Sequence, residues 1–81
     1  MPTSVDRRDL DAIPDDATIA DFREEAAAQD ESIEATYPAP DGDTKRLVVS
    51  PRGTVVLLND VSETTFNQST PAAEIADQLR A

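Results

Sequence analysis

The chain has no cysteine, no histidine and no tryptophan. Without cysteine there is no disulfide framework and no thiolate metal site. Without histidine the commonest general base and the commonest transition-metal ligand are both missing. Gly42 and Gly53 are the only glycines, so no glycine-rich loop can cradle a phosphate. The aromatic residues are Phe22, Tyr37 and Phe66 alone, and Lys45 is the only lysine. Apolar runs extend for only a few residues, too short to span a membrane. The opening residues Met1-Pro2-Thr3-Ser4-Val5-Asp6-Arg7-Arg8 lead into no apolar stretch. That is not the pattern of a signal peptide, and the Arg pair lacks the hydrophobic region of a twin-Arg export signal. The expectation is a soluble cytoplasmic protein that requires no cofactor.

Acid is abundant instead. Seventeen Asp and Glu stand against seven Lys and Arg, for a net charge of −10 over 81 residues. Such a length sets a single domain, 1–81, that buries only about 60% of its unfolded surface. Large apolar residues are few and concentrate in Leu47-Val48-Val49 and Val55-Val56-Leu57-Leu58. Both runs are β-branched or leucine, which suits a pleated surface. Between them lies Ser50-Pro51-Arg52-Gly53. Pro sets φ for the second position of a turn, and Gly takes the positive φ that ends it. This predicts a hairpin with a type I turn and a bulge. Its register places Val49 opposite Val55 and Leu47 opposite Leu57 on one face. The other face carries Arg46, Val48, Thr54, Val56 and Leu58.

The remaining elements follow from caps and periodicity. Residues 1–16 are weakly patterned and read as a partly ordered arm docking through Leu10 and Ile13, with Ser4 capping a short turn. Thr18 reads as the N-cap of a helix over 19–29, burying Ile19, Phe22 and Ala26 and exposing Asp21, Glu24, Glu25 and Gln29. Residues 32–37 alternate, with Ile33, Ala35 and Tyr37 on one side. Residues 38–43 form a turn. Residues 61–69 are open between a short fourth strand at Thr64-Thr65-Phe66 and a loop pinned by Phe66. Thr70 and Pro71 read as cap and first residue of a second helix whose buried stripe is Ile75, Ala76 and Leu79. The order α-β-β-β-α predicts an α+β domain: a small three-stranded antiparallel meander with two helices on one face.

Candidate sites are sparse. Asp41-Gly42-Asp43 has the look of a calcium loop, but Lys45 and Arg52 stand where that motif needs acids. Asp21, Glu24 and Glu25 form a carboxylate patch of the kind that holds Mg²⁺ weakly, and read as a solvated helix face. Ser and Thr are frequent, but no histidine can activate them, so catalysis is not expected. Asn67-Gln68-Ser69 matches a glycosylation acceptor and, without a secretory signal, is accidental. Lys45, Arg46 and Arg52 are read as a basic spot at one end of the hairpin, which Arg7 and Arg8 can join. The spot is the candidate contact for an anion or a nucleic acid, although −10 overall opposes such binding. The competing expectation is that Lys45 and Arg46 pair with acids such as Glu34.

Val48, Val56 and Leu58 are the candidate interface. Two short helices cover one sheet face and leave these three on the other, a patch of a few hundred Å². The expectation is a homodimer built by two-fold pairing of outer faces, with Arg46 at the rim near Glu34 of either chain. The alternative cover is the arm itself, with residues 5–13 folding back over the patch.

Two resemblances attach to these residues. Dense acid with almost no lysine resembles the proteins of salt-accumulating halophilic archaea. At molar salt the Debye length is about 3 Å, so carboxylates scarcely repel one another and still hold the protein in solution. Ile13-Pro14-Asp15-Asp16-Ala17-Thr18-Ile19-Ala20-Asp21-Phe22 resembles the strand-to-helix junction of small β-grasp sulphur carriers and ubiquitin-like modifiers. Those carriers finish in Gly-Gly, whereas this chain finishes in Leu79-Arg80-Ala81. The carrier function is set aside, and a β-grasp fold stays as a distant alternative. The functional expectation is a small non-catalytic interaction module, with a nucleic-acid accessory role as the second choice.

Overall fold

A computed structural model describes residues 5–40, 42–59 and 62–80. The elements in chain order are β1 (Val5–Asp9), α1 (Asp16–Gln29), β2 (Ser32–Pro38), β3 (Thr44–Val49), β4 (Val55–Leu58), β5 (Glu63–Phe66) and α2 (Ala72–Arg80). The strands form one sheet in the order β1-β2-β3-β4-β5. β1 runs parallel to β2, and every other neighbour is antiparallel. The α+β class is as expected, but the sheet is mixed and has five strands rather than three.

Both additional strands have a physical reason for escaping the pattern. Residues 5–9 were expected in a partly ordered arm and instead form an edge strand beside β2. Its sequence, Val-Asp-Arg-Arg-Asp, holds one apolar residue, so no apolar alternation marks it. The two residues on its inner side, Asp6 and Arg8, bond each other at 2.9 Å, so opposite charges stand where apolar side chains usually do. Leu10 and Ile13 follow, packed against the core as expected of the arm. The Ser4 turn lies outside the described residues, as does Asp41 of the acidic turn. β5 resolves the open reading of 61–69 in favour of a strand, pairing Phe66 with Val55 and Thr65 with Val56.

The hairpin has the expected register, with Val49 opposite Val55 and Leu47 opposite Leu57. Its loop closes through Gly53 N–H to the Ser50 carbonyl at 3.0 Å and Ser50 N–H to the Thr54 carbonyl at 2.9 Å. Gly53 has φ +95°, a conformation costly for any residue with a Cβ. The Ser50 hydroxyl oxygen accepts the Thr54 N–H at 3.1 Å and secures the loop further.

Helix α1 begins three residues earlier than the sequence suggested. Asp15, not Thr18, is its N-cap, and the Asp15 carboxylate accepts the Thr18 N–H at 2.8 Å. Both residue types cap well, but Asp15 adds a negative charge at the positive end of the helix dipole. The helix closes at Asp30 in the left-handed region, φ 51°, with the Asp30 N–H on the Ala26 carbonyl. At α2 the Pro71 carbonyl accepts from Glu74 and Ile75, so Pro71 precedes the first helical residue instead of being it.

The core is a single cluster. Ile19, Phe22 and Ala26 of α1 and Ile75, Ala76 and Leu79 of α2 meet Ile33, Ala35, Tyr37, Leu47, Val49 and Val55 of the sheet. All six helix residues are those the periodicity selected. The two helices also pack on each other. Both therefore lie on one face of the sheet. No described element covers the other face, because β1 extends the sheet sideways instead of folding over it.

Candidate functional site

The register defines what the uncovered face presents. Side chains alternate along each strand, so residues paired across neighbouring strands share a face. One row reads Arg7, Glu34, Val48, Val56, Thr65 across the five strands. The next reads Asp9, Thr36, Arg46, Leu58, Glu63. Val48, Val56 and Leu58, the residues expected at an interface, are neighbours on β3 and β4, and each is half-buried within the single chain. Val5, on the outer side of β1, is the one exposed large apolar side chain among the described residues. The apolar centre is bounded by charge. Glu34 sits between Arg46, 3.2 Å away, and Arg7, 3.7 Å away. Its side chain is only 18% exposed, while those of Arg46 and Arg7 are 58% and 82% exposed. The pairing of Arg46 with Glu34, one of the two roles weighed for Arg46, is thus made within one chain.

The structure does not gather the basic residues into a spot. Arg46 pairs across the hairpin with Leu58 at its open end, whereas Arg52 lies in the loop that joins Val49 to Val55 at the other. Val49 lies three residue steps along the strand from Arg46, roughly 10 Å, before the loop begins. Lys45 is opposite Tyr37 and on the helix side of the sheet. Arg7 and Arg8 are sequence neighbours on a strand and therefore point to opposite faces.

Arg8 has a different task. Its guanidinium lies 5.4 Å from the centre of the Phe22 ring and holds Asp6 at 2.9 Å and Glu25 at 2.9 Å. Gln29 donates to the same Asp6 carboxylate at 3.2 Å. These bonds from Arg8 and then Gln29 hold the Asp6 carboxyl below its usual range. The same carboxylates push the Arg8 guanidinium up, so it stays charged. The group joins the β1 edge to α1 and covers Phe22 with charge. It also takes Glu25 out of the acidic patch formed with Asp21 and Glu24.

Arg23, which no pattern singled out, joins three segments. Its guanidinium donates to the carbonyls of Gly53 at 3.0 Å, Thr70 at 2.7 Å and Asn67 at 3.4 Å. These partners are far apart in sequence and are backbone atoms, so nothing in the side-chain pattern could announce them. Asn67 is occupied as well: its side-chain oxygen accepts from the Ser69 N–H and hydroxyl and from the Thr70 hydroxyl. The glycosylation-like triplet thus lies in a turn that presents the Asn67 carbonyl, and the Thr70 carbonyl just after it, to Arg23.

Among the described residues no cavity and no group of acids spaced for a metal ion is present, and no helix is long and apolar enough to cross a membrane. Comparison with protein-family models, with characterised proteins and with solved structures finds no match to this chain.

Proposed function

We propose that this chain is a small non-catalytic interaction module that self-associates through the outer face of its sheet, in the cytoplasm of a salt-accumulating cell. The observation that carries the reading is the asymmetry of the sheet. One face is sealed by two helices, and the other presents Val48, Val56 and Leu58 with no covering element among the described residues. Charge favours a second copy as the cover. The outer face carries Arg7 and Arg46 against Asp9, Glu34 and Glu63, close to neutral, in a chain of net charge −10. Among the described residues the other acids are on the helices, in the loops or at the inner strand position Asp6. Pairing outer faces therefore joins the least acidic surfaces and keeps the helix acids apart in solvent. The non-catalytic part rests on composition, with neither histidine nor cysteine. The nucleic-acid alternative draws no support from a placement that separates Arg46 from Arg52.

Light scattering in molar KCl tests the reading. Wild type should run as a dimer and Val56→Glu as a folded monomer. A wild type that stays monomeric at millimolar concentration sinks it.

A further inference from the structure

β1 differs from the strands beside it in what it turns toward the helices. The inner positions of β2, β3 and β4 supply Ile33, Ala35, Tyr37, Leu47, Val49 and Val55 to the core, whereas those of β1 carry Asp6 and Arg8. We propose that β1 is a salt-released latch, which swings out about Leu10 while the other four strands and both helices stay folded. The proposal holds for a monomer and for a self-associated chain alike.

The chain just beyond β1 is anchored. Leu10 and Ile13 pack against the core, and the Leu10 N–H donates to the Thr36 carbonyl at 2.7 Å. β1 itself is an edge strand, paired with β2 on one side only. Besides that ladder, charge and polar bonds hold it. Arg8 bridges Asp6 within the strand and Glu25 on α1, each at 2.9 Å. Gln29 of α1 donates to Asp6 at 3.2 Å, and Arg7 lies 3.7 Å from Glu34 on the outer face. The Asp6, Arg8 and Glu25 side chains are 28%, 30% and 47% exposed, open to screening by salt.

Salt acts on the latch and on the body of the domain with opposite sign. Val5–Asp9 holds two Arg and two Asp, a net charge of zero, so the whole −10 belongs to the rest of the chain. Screening relieves repulsion in that body and stabilises it. A neutral strand gains little from the relief. It loses the attraction of Arg8 for Glu25 and of Arg7 for Glu34. Opening uncovers Phe22, a buried ring whose centre lies 5.4 Å from the Arg8 guanidinium. It also frees the β2 edge, on which another extended segment can pair.

Amide hydrogen exchange of the whole chain at 0.5 M and 2 M KCl, read by NMR as protection factors, tests the latch. Parallel pairing continues the Leu10 bond along the strand, so the N–H groups of Asp6 and Arg8 face β2 and report on β1. Their protection should be about a hundredfold below that of Leu47 and Val49 in β3, and nearly independent of urea. From the lower salt to the higher it should fall about threefold, while protection in β3 rises. Asp6→Val combined with Arg8→Leu places apolar side chains at both inner positions. It should raise β1 protection and remove most of its fall with salt. Equal protection and equal urea dependence in β1 and β3 would make the domain one cooperative unit and overturn the latch. So would wild-type β1 protection that rises with salt as β3 does, or a folded double variant whose β1 protection falls as far as that of wild type. The wild-type comparison decides even where the double variant does not fold.

Discussion

Arg23 Nε donates to the Gly53 carbonyl at 3.0 Å, joining the middle of α1 to the tip of the hairpin loop. The same guanidinium reaches Thr70 just before α2. One side chain thus ties the first helix, the hairpin and the start of the last helix. Its partners are carbonyls, so the charge strengthens each bond without a salt bridge. Arg23→Ala should lower stability by about 2 kcal/mol, and Arg23→Lys should recover less than half of it, because an ammonium lacks the wide fork of donors that reaches three separate carbonyls. Urea midpoints measure both. An unchanged midpoint for Arg23→Ala would mean that water replaces the guanidinium at no cost.

Gly53 and Gly42 share a positive φ, +95° and +92°, but not their surroundings. A Cβ at Gly53 would lie 3.4 Å from Gln68 Cβ, whereas one at Gly42 would meet nothing within 4 Å. Gly53→Val should therefore destabilise by about 1 kcal/mol or more, with both backbone strain and crowding against it. Gly42→Ala should cost less, from strain alone. Thermal melts of the two variants should fall in that order; the reverse order would place the tight turn at 42 instead.

Asp15 sets an acid limit on α1. The Thr18 backbone N–H and then the Thr18 side chain hold its carboxyl below the usual range. A carboxyl depressed in the folded state stabilises the fold above its unfolded pKa, near 3.9, and the gain is lost as pH falls through the lower folded value. Asp6, depressed by Arg8 and Gln29, acts with the same sign. Asp15→Ala should lower the melting temperature by a few degrees at neutral pH, and the gap to wild type should narrow toward pH 2. Asp15→Ser should keep much of the cap with less of the acid dependence. A gap that is constant from pH 7 to pH 2 would assign the cap to another group.

These variants also mark how far the sequence could be read. Gly53, the hairpin register and the six helix core residues were legible because each depends on local chemistry or a short period. β1 was not, because Asp6 and Arg8 fill its inner positions and their partners, Gln29 and Glu25, lie on a helix not yet placed. Arg23 was invisible for a related reason: three carbonyls carry no side-chain signature. The outer-face position of Val48, Val56 and Leu58 was legible by subtraction, since they alternate with Leu47, Val49, Val55 and Leu57. The basic spot failed on simple geometry, as Arg46 and Arg52 are close in sequence yet separated along the hairpin by Leu47, Val48 and Val49.

Salt dependence sets two electrostatic effects against each other. The Arg8 bridges to Asp6 and Glu25 and the Arg7 and Arg46 bridges to Glu34 weaken as salt rises. Repulsion among seventeen acids weakens as well, and only seven bases oppose them. On α1, Asp21 and Glu24 stand three residues apart, a helical spacing that brings like charges together, while Glu25 is neutralised by Arg8. Exposed bridges contribute little each, typically under about 1 kcal/mol, so the unbalanced repulsion should win. The fold should gain stability with KCl and lose structure below about 0.2 M, where the Debye length exceeds about 7 Å. Circular dichroism along a KCl series measures it. Replacing Asp21 and Glu24 together by lysine should move the transition to lower salt, because it removes repulsion without touching the bridges. If wild type is fully folded and two-state in low-salt buffer, the requirement for salt is excluded. If the lysine variant needs as much salt as wild type, the repulsion on α1 is not its source.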